Sequence, residues 1–320
     1  MSRPAAAPRY RDALPQLRDT PFLTDGGIET TLIFHDGHDL PDFAAYVLLA
    51  RDGGDAALRR YFEPYVEIAV AAGVGIVLET ATWRANPDWA ERLGHSPAEL
   101  ADLNLRAVEL LEGLRGERET AATPIVISGC VGPRGDGYVV GETMAAEEAE
   151  AYHGTQIGTF AGSSADLVTA ITMTYADEAI GIVRAARAAG MPVVISFTVE
   201  TDGRLPSGQL FREAIGEVEA ATDGYAAYFM INCAHPTHFD HVLEPGSAWT
   251  DRVMGLRANA SRLSHAELDE AEELDTGNPE ELAYEYVALR ERLPRLTVLG
   301  GCCGTDHRHI EALCRAWLAP

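Results

Sequence analysis

The chain has 320 residues, of which 47% are hydrophobic and 23% are charged, and its formal net charge is −24. This length suits a single α/β barrel, and the acidity disfavours binding to nucleic acids or anionic membranes because like charges repel. All 25 basic residues are arginines, which excludes mechanisms that need a lysine amine: Schiff-base aldolases, pyridoxal-phosphate enzymes and Walker-type phosphate loops.

The N-terminal residues 1–20 are rich in alanine, arginine and proline and lack the apolar run of a signal peptide. No later segment is long and apolar enough to cross a bilayer. We therefore expect a cytoplasmic protein with an N-terminal extension at 1–20 and a single domain at 21–320. In a reducing compartment, its five cysteines are expected to be thiols or metal ligands rather than a disulfide framework.

From residue 22 onward, short apolar runs alternate with segments of helical periodicity. Eight runs are predicted to be strands: 22–26, 75–80, 124–128, 166–172, 192–198, 228–233, 253–257 and 297–300. The predicted helices between them include 58–72, 97–115, 145–162, 177–190 and 279–293. Because strands that are apolar on both faces alternate with helices, we expect a parallel sheet, and eight units favour a (β/α)8 TIM barrel. A doubly wound sheet is the alternative, but the G-x-G-x-x-G fingerprint is missing after the first strand.

In such a barrel the chemistry takes place at the carboxyl ends of the strands. The sequence places the following residues there: Asp25, Gly26, Gly27, Glu29, Thr80, Thr82, Trp83, Cys130, Thr172, Thr198, Glu200, Asn232, Cys233, Asn259, Cys302 and Cys303. These residues are the candidates for a functional site.

Three of the five cysteines, Cys233, Cys302 and Cys303, lie at predicted strand ends of this one rim. Zinc binds thiolates readily, and a catalytic zinc site has three protein ligands and one open position. The alternatives are small buried hydrophobic cysteines or a redox-sensing dithiol, and spacing alone leaves all three open. Cys130 and Cys314 are expected to be structural.

Three segments resemble the signatures of the homocysteine S-methyltransferase family: TDGGIET at 24–30, MINCAHP at 230–236 and GGCCGTDHRHI at 300–310. Further segments are similar to parts of the family: TATWRAN at 80–86, SFTVETDGRLPSG at 196–208 and ANAS at 258–261. The resemblance covers the chain from residue 21 to the C-terminus. It implies a (β/α)8 barrel in which zinc is held by Cys233, Cys302 and Cys303.

The resemblance also implies an activity. We expect a zinc-dependent S-methyltransferase that moves a methyl group from a small sulfonium or ammonium donor to a zinc-bound thiol, first of all homocysteine, which gives methionine. S-methylmethionine and betaine are the first candidate donors, and no protein residue is assigned as catalytic because zinc activates the thiol. The alternatives are the same zinc chemistry on another thiol or selenol, and a non-catalytic vicinal-dithiol redox or metal-sensing protein. The expected partners are a small-molecule thiol and a methyl donor, without nucleic acid or membrane, and a homo-oligomer is allowed.

The family resemblance suggests roles for several rim residues. Asp25, Gly26 and Gly27 match a signature that holds the amino-acid end of the thiol substrate. Trp83 occupies a position where the family commonly has tyrosine, and its ring can attract a methylated cation. The predicted substrate-binding set is completed by Glu29, Thr172 and Asn232.

One position departs from the family pattern. A Glu-Thr pair is expected at the end of the fourth strand, with the glutamate binding the substrate ammonium, but here Ile171 precedes Thr172. Either Glu29, Glu79 or Glu200 replaces the missing carboxylate, or the acceptor is not homocysteine.

Overall fold

Eight parallel strands close into a barrel in which each strand pairs with the next and the eighth pairs with the first. The computed structural model describes residues 7–271 and 273–319. The strands are β1 (Phe22–Leu23), β2 (Gly75–Glu79), β3 (Ile125–Val131), β4 (Leu167–Met173), β5 (Val193–Thr198), β6 (Tyr228–Asn232), β7 (Val253–Ala258) and β8 (Val298–Gly301). The predicted (β/α)8 barrel is confirmed, and every predicted strand overlaps an observed one.

Helices connect the strands of the barrel. In the described residues they are α1 (Ile28–Thr30), α2 (Gly54–Ala72), α3 (Pro87–Arg92), α4 (Pro97–Arg118), α5 (Ala146–Ala161), α6 (Ala176–Ala188), α7 (Phe211–Thr222), α8 (Pro236–Phe239), α9 (His265–Asp269), α10 (Pro279–Ala288) and α11 (His307–Leu318). A capping box between Ser96 and Glu99, a pattern typical of helix N-termini, fixes the start of α4. The helix predicted at 279–293 ends as an α-helix at Ala288 and continues as a short 3₁₀ turn, Leu289–Glu291.

Short 3₁₀ or π turns complete the described secondary structure: Pro15–Leu17, Thr31–His35, Pro41–Phe43, Ala45–Ala50, Asp240–Val242 and Thr250–Arg252. None of the helices within the described ranges combines the length and the apolar character that a membrane span requires.

The interior of the barrel is layered because side chains alternate between the two faces of a strand. One layer, called here the apolar floor, contains at least one residue from each strand: Phe22, Val77, Val126, Leu167, Val194, Tyr228, Met230, Met254 and Val298. Two positions further along β2, β3 and β4, towards the carboxyl ends, the residues are Glu79, Ser128 and Thr169. The hydroxyl oxygens of Ser128 and Thr169 lie 2.8 Å apart. A polar layer therefore separates the apolar floor from the rim.

The segment before β1 packs against the amino end of the barrel. Leu14 belongs to the apolar floor, and Gln16 is buried. The backbone amides of Arg9 and Tyr10 donate to Asp166 Oδ1 at 2.7 and 2.8 Å. Residues 9–16 of the predicted N-terminal extension are therefore part of the packing of the barrel.

Candidate metal and substrate site

The three cysteines predicted to lie at the rim meet at the carboxyl ends of β6 and β8. Cys233 follows β6, Cys302 and Cys303 follow β8, and their Sγ atoms all lie within 4.8 Å of one another. Cys233 and Cys302 are 69 residues apart in the chain. They come together because parallel strands of a closed barrel end at a single rim.

The Sγ atoms of Cys233 and Cys302 are in contact, and their Cα atoms lie 5.4 Å apart. Two sulfurs that share a metal ion must lie close together, so this backbone arrangement suits a shared metal ion as well as a disulfide. Cys303 is free and partly exposed, whereas Cys130 and Cys314 are free and buried.

Unusual backbone geometry positions the cysteines. Cys233 has a φ of +52°, in the left-handed region that non-glycine residues rarely adopt. On the opposite side, a Cβ atom at Gly27 would lie 2.5 Å from the carbonyl oxygen of Cys302. Only glycine therefore allows the loop after β1 to pack against the cysteine pair.

The three sulfurs suit a tetrahedral metal ion. With zinc–sulfur bonds of about 2.3 Å, thiolates on one zinc ion are about 3.8 Å apart, which lies inside the 4.8 Å limit of this cluster. Burial raises the pKa of the Cys303 thiol to about 11. A thiolate at this position therefore needs a neighbouring cation, which a metal ion would supply.

Asp25 is part of a buried ion pair. Arg257 Nη1 lies 2.7 Å from Asp25 Oδ1, and the Tyr61 hydroxyl donates to Oδ2 at 2.9 Å. Arg257 also donates to the carbonyl oxygens of Gly26 and Gly301, both at 3.1 Å. Arg257 was not among the residues predicted from the sequence, although an arginine near the end of an apolar strand was a visible signal. The Asp25 carboxylate is thus already neutralised by a protein cation that ties β1, β7 and β8 together.

The other three acidic candidates lie in different environments. Glu79 is buried in the polar layer, and burial raises its pKa to about 7. Glu200 Oε1 lies 3.2 Å from His265 Nδ1. Glu29 is half-buried, and burial raises its pKa to about 7; its carboxylate interacts electrostatically with the thiol of Cys303. Within residues 7–271 and 273–319, no other residue forms an ion pair or a hydrogen bond with the Glu29 carboxylate, so it is available to a ligand.

Thr172 and Asn232 are hydrogen-bonded to each other across the end of the barrel. The Thr172 amide donates to Asn232 Oδ1, and Asn232 Nδ2 donates to Thr172 Oγ1, both at 2.9 Å. The Ser196 hydroxyl also donates to Asn232 Oδ1, at 2.6 Å. Thr172 has a φ of +67°, and Ile171 beside it is buried. These bonds hold the strained end of β4 against β5 and β6.

Trp83 lies at the rim with one face of its ring covered. The guanidinium of Arg84 lies 4.0 Å from the ring centroid of Trp83 and 3.9 Å from that of Trp89. The Trp83 indole N–H donates to the carbonyl oxygen of Ile171 at 3.3 Å. A ligand can therefore use only the face of Trp83 that points away from Arg84.

Two residues that were not predicted from the sequence contact the cluster. The Tyr138 hydroxyl lies 3.4 Å from Cys233 Sγ and 3.7 Å from Cys303 Sγ. His265 Nε2 donates to the carbonyl oxygen of Cys233 at 2.5 Å. Tyr138 lies well beyond the end of β3, and His265 lies well beyond the end of β7. In such segments only the loop conformation decides which residues a side chain contacts.

Comparisons with known proteins agree with this geometry. A family model described as homocysteine S-methyltransferase matches residues 22–317. The metallated form of the homocysteine methyltransferase MmuM from Escherichia coli has a similar fold, with a TM-score of 0.69 and 21% identity over 95% of this chain and 98% of that chain. The oxidized form of MmuM gives a TM-score of 0.69 and 23% identity over 94% of this chain and 97% of that chain. No curated protein matches the sequence significantly.

Proposed function

Because the chain belongs to the homocysteine S-methyltransferase family, it is a methyltransferase, and we propose that it methylates a thiol at the site formed by Cys233, Cys302 and Cys303. The cluster of three sulfurs at the barrel rim carries this proposal. We propose that these cysteines hold zinc, which when bound supplies the positive charge that keeps a substrate thiol ionised and nucleophilic near neutral pH. Homocysteine is the proposed acceptor, and methionine is then the product.

The proposed reaction is a direct transfer between two small molecules. The acceptor sulfur forms a bond to the methyl carbon, while the leaving sulfur or nitrogen of the donor keeps the electron pair of the bond that breaks. The positive charge of the donor is discharged in this step, so S-methylmethionine and betaine are suitable donors. We propose that the face of Trp83 that points away from Arg84 attracts the cationic donor, an interaction worth about 0.5–2 kcal/mol, and aligns it with the acceptor.

We propose that Glu29 binds the ammonium group of the acceptor. Asp25 is already paired with an arginine, Ile171 has no charge, Glu79 is buried, and Glu200 contacts a histidine. Glu29 is the remaining carboxylate of the set and is half-buried beside the cluster. A carboxylate without a protein cation can form charge-assisted hydrogen bonds with an ammonium group.

We also propose the cytoplasm as the location of the reaction, because a reducing compartment would keep the cluster in the thiol form. The proposed partners are the small-molecule thiol and the donor. The net charge of −24 supports the proposal that nucleic acid is not a partner.

A methyl-transfer assay tests the proposed function. The protein is reduced, loaded with zinc and incubated with homocysteine and either S-methylmethionine or betaine, and methionine is measured. We expect methionine to form only when the donor, the acceptor and the protein are all present. Transfer to other thiols but not to homocysteine would establish a different acceptor. A reduced protein that binds no zinc and methylates no thiol would contradict the proposal and favour the redox-dithiol alternative.

A further inference from the structure

The loop between β3 and α5 covers the cysteine cluster. Its residue Tyr138 places a hydroxyl 3.4 Å from Cys233 Sγ and 3.7 Å from Cys303 Sγ. The Tyr138 ring packs against the ring of His265, with centroids 4.8 Å apart, and lies 6.4 Å from the ring of Trp83. A phenol hydroxyl has one proton to donate, so it can hydrogen-bond to one sulfur at a time.

Arg84 holds this loop in place from the neighbouring strand end. Its guanidinium donates to the carbonyl oxygens of Gly135 and Asp136 at 2.9 and 2.8 Å. The same guanidinium is stacked between the rings of Trp83 and Trp89, and the residue is buried. Because its planar fork and its stacking are used together, a lysine or a glutamine cannot reproduce both contacts.

The loop is also built to sit close to Trp83. A Cβ atom at Gly132 would lie 2.1 Å from the Trp83 carbonyl oxygen, so only glycine allows this approach. Immediately before Tyr138, Gly137 has a φ of +104°. The Asp136 side chain accepts a hydrogen bond from the Tyr138 amide at 3.1 Å. The loop is therefore fixed on both sides of the carbonyl groups that Arg84 binds.

From this geometry we propose that Tyr138 covers the cysteine sulfurs and donates a hydrogen bond to a sulfur at this site, and that Arg84 is its positioning residue. An entering acceptor thiol must then displace the hydroxyl or take over its hydrogen bond. This last consequence rests on the proposed methyl transfer, whereas the cover itself can be measured without any methyl donor.

Alkylation of the cysteines in the reduced, metal-free protein tests the proposal. Iodoacetamide is added at fixed pH, and mass spectrometry follows the modification of each cysteine-containing peptide with time. Tyr138→Phe removes only the hydroxyl, Tyr138→Ala removes the whole cover, and Arg84→Gln releases the loop. We expect alkylation at Cys303 to accelerate on the order of tenfold in Tyr138→Ala and Arg84→Gln, which uncover the sulfur. In Tyr138→Phe the ring still covers the sulfur but no hydroxyl stabilises the reacting thiolate, so alkylation should slow.

Two controls separate a local change from general loosening. Cys130 and Cys314 are buried, so they report on the folding of each variant and should stay unmodified. Arg134 lies in the same loop but binds Asp88 and Glu148 on the surface, so Arg134→Gln should leave Cys303 as protected as in the wild type.

An unchanged rate at Cys303 in Tyr138→Phe would overturn the role of its hydroxyl. Equal effects of Arg84→Gln and Arg134→Gln would overturn the role of Arg84. If Cys314 becomes modified in Arg84→Gln, that variant does not fold correctly. Arg84→Lys, which keeps the charge but loses the fork, is then compared with Arg134→Gln instead. Protein that passes this test but transfers no methyl group would refute the proposed function alone.

Discussion

Two residues at the rim have strained backbone conformations. Thr172 and Cys233 have φ values of +67° and +52°, and such conformations cost about 1–3 kcal/mol each in non-glycine residues. The hydrogen bonds between Thr172 and Asn232 offset part of this cost. Thr172 lies near the end of β4, and Cys233 directly follows β6.

Replacing a cysteine of the cluster should remove the metal and the activity together. In Cys302→Ala or Cys303→Ala, two thiolates remain, which are too few to hold zinc in an open catalytic site. We expect zinc content, measured by elemental analysis of the reduced and reconstituted protein, to fall to background and methyl transfer to be lost. Cys314→Ala, which alters a buried thiol of α11, should retain both. Full activity in either cluster variant would contradict the ligand assignment.

Glu29→Gln should weaken the recognition of homocysteine selectively. The loss of one charge-assisted contact, about 1.5–3 kcal/mol, predicts a ten- to hundredfold decrease in kcat/KM for homocysteine. The des-amino analogue of homocysteine should be almost unaffected, because it has no ammonium group. Steady-state kinetics with both acceptors measure this difference, and Glu200→Gln serves as the matched control. A parallel loss for both acceptors would show that Glu29 does not bind the ammonium.

Among the structural elements, the N-terminal segment depends on one buried carboxylate. Asp166 precedes β4 and accepts hydrogen bonds from the amides of Arg9, Tyr10 and Ile127 and from Arg115 Nη1. The Arg115 side chain is buried as well, and its Nη1 lies 2.7 Å from Asp166 Oδ2. Asp166 therefore joins the N-terminal segment, α4 and β3 to the start of β4.

Asp166→Asn should destabilise the whole barrel. The substitution preserves the shape but leaves the buried guanidinium of Arg115 without its counter-charge, which costs about 3–5 kcal/mol. Urea denaturation followed by circular dichroism should show a lower midpoint with a similar slope. Asp102→Asn, at an exposed position of α4, is the control and should change the midpoint little. A loss no larger than that of the control would mean that the ion pair does not stabilise the fold.

At the scale of the whole molecule, an ionisable group is buried in the middle of the barrel. Glu79 lies in the polar layer beside Ser128 and Thr169, and burial raises its pKa from 4.5 to about 7. Between these two values the folded protein binds more protons than the unfolded chain. The contribution of Glu79 to stability is therefore present below pH 4.5 and is lost as the pH rises through 7.

Glu79→Gln should stabilise the protein at alkaline pH. At pH 8 the variant avoids ionising a buried carboxyl, a cost of up to about 3 kcal/mol, whereas at pH 4.5 the difference should nearly vanish. Free energies of unfolding from urea titrations of both proteins across this range provide the measurement. A difference between variant and wild type that stays constant with pH would show that Glu79 does not titrate in this window.

The sequence by itself determined the barrel and the rim at which the three cysteines lie. Eight apolar runs separated by helical segments imply a parallel sheet, and in a closed parallel barrel every strand ends at one rim. Cys233, Cys302 and Cys303 were therefore predicted to lie at the same rim, each within a residue or two of the end of its strand. The same reasoning placed Glu29 and Trp83 at the rim, but it did not reveal which of their surfaces are free.

Only the tertiary structure decided how the charges and loops around that cluster are arranged. Arg257 pairs with Asp25, and its guanidinium donates to Gly26, which lies 231 positions away in the chain. Tyr138 reaches the cysteines through a loop that Arg84 holds. The periodicity of a sequence records which face of a strand or helix is buried. It carries no information on contacts between distant loops, because their geometry depends on hydrogen bonds that form only once the barrel has closed.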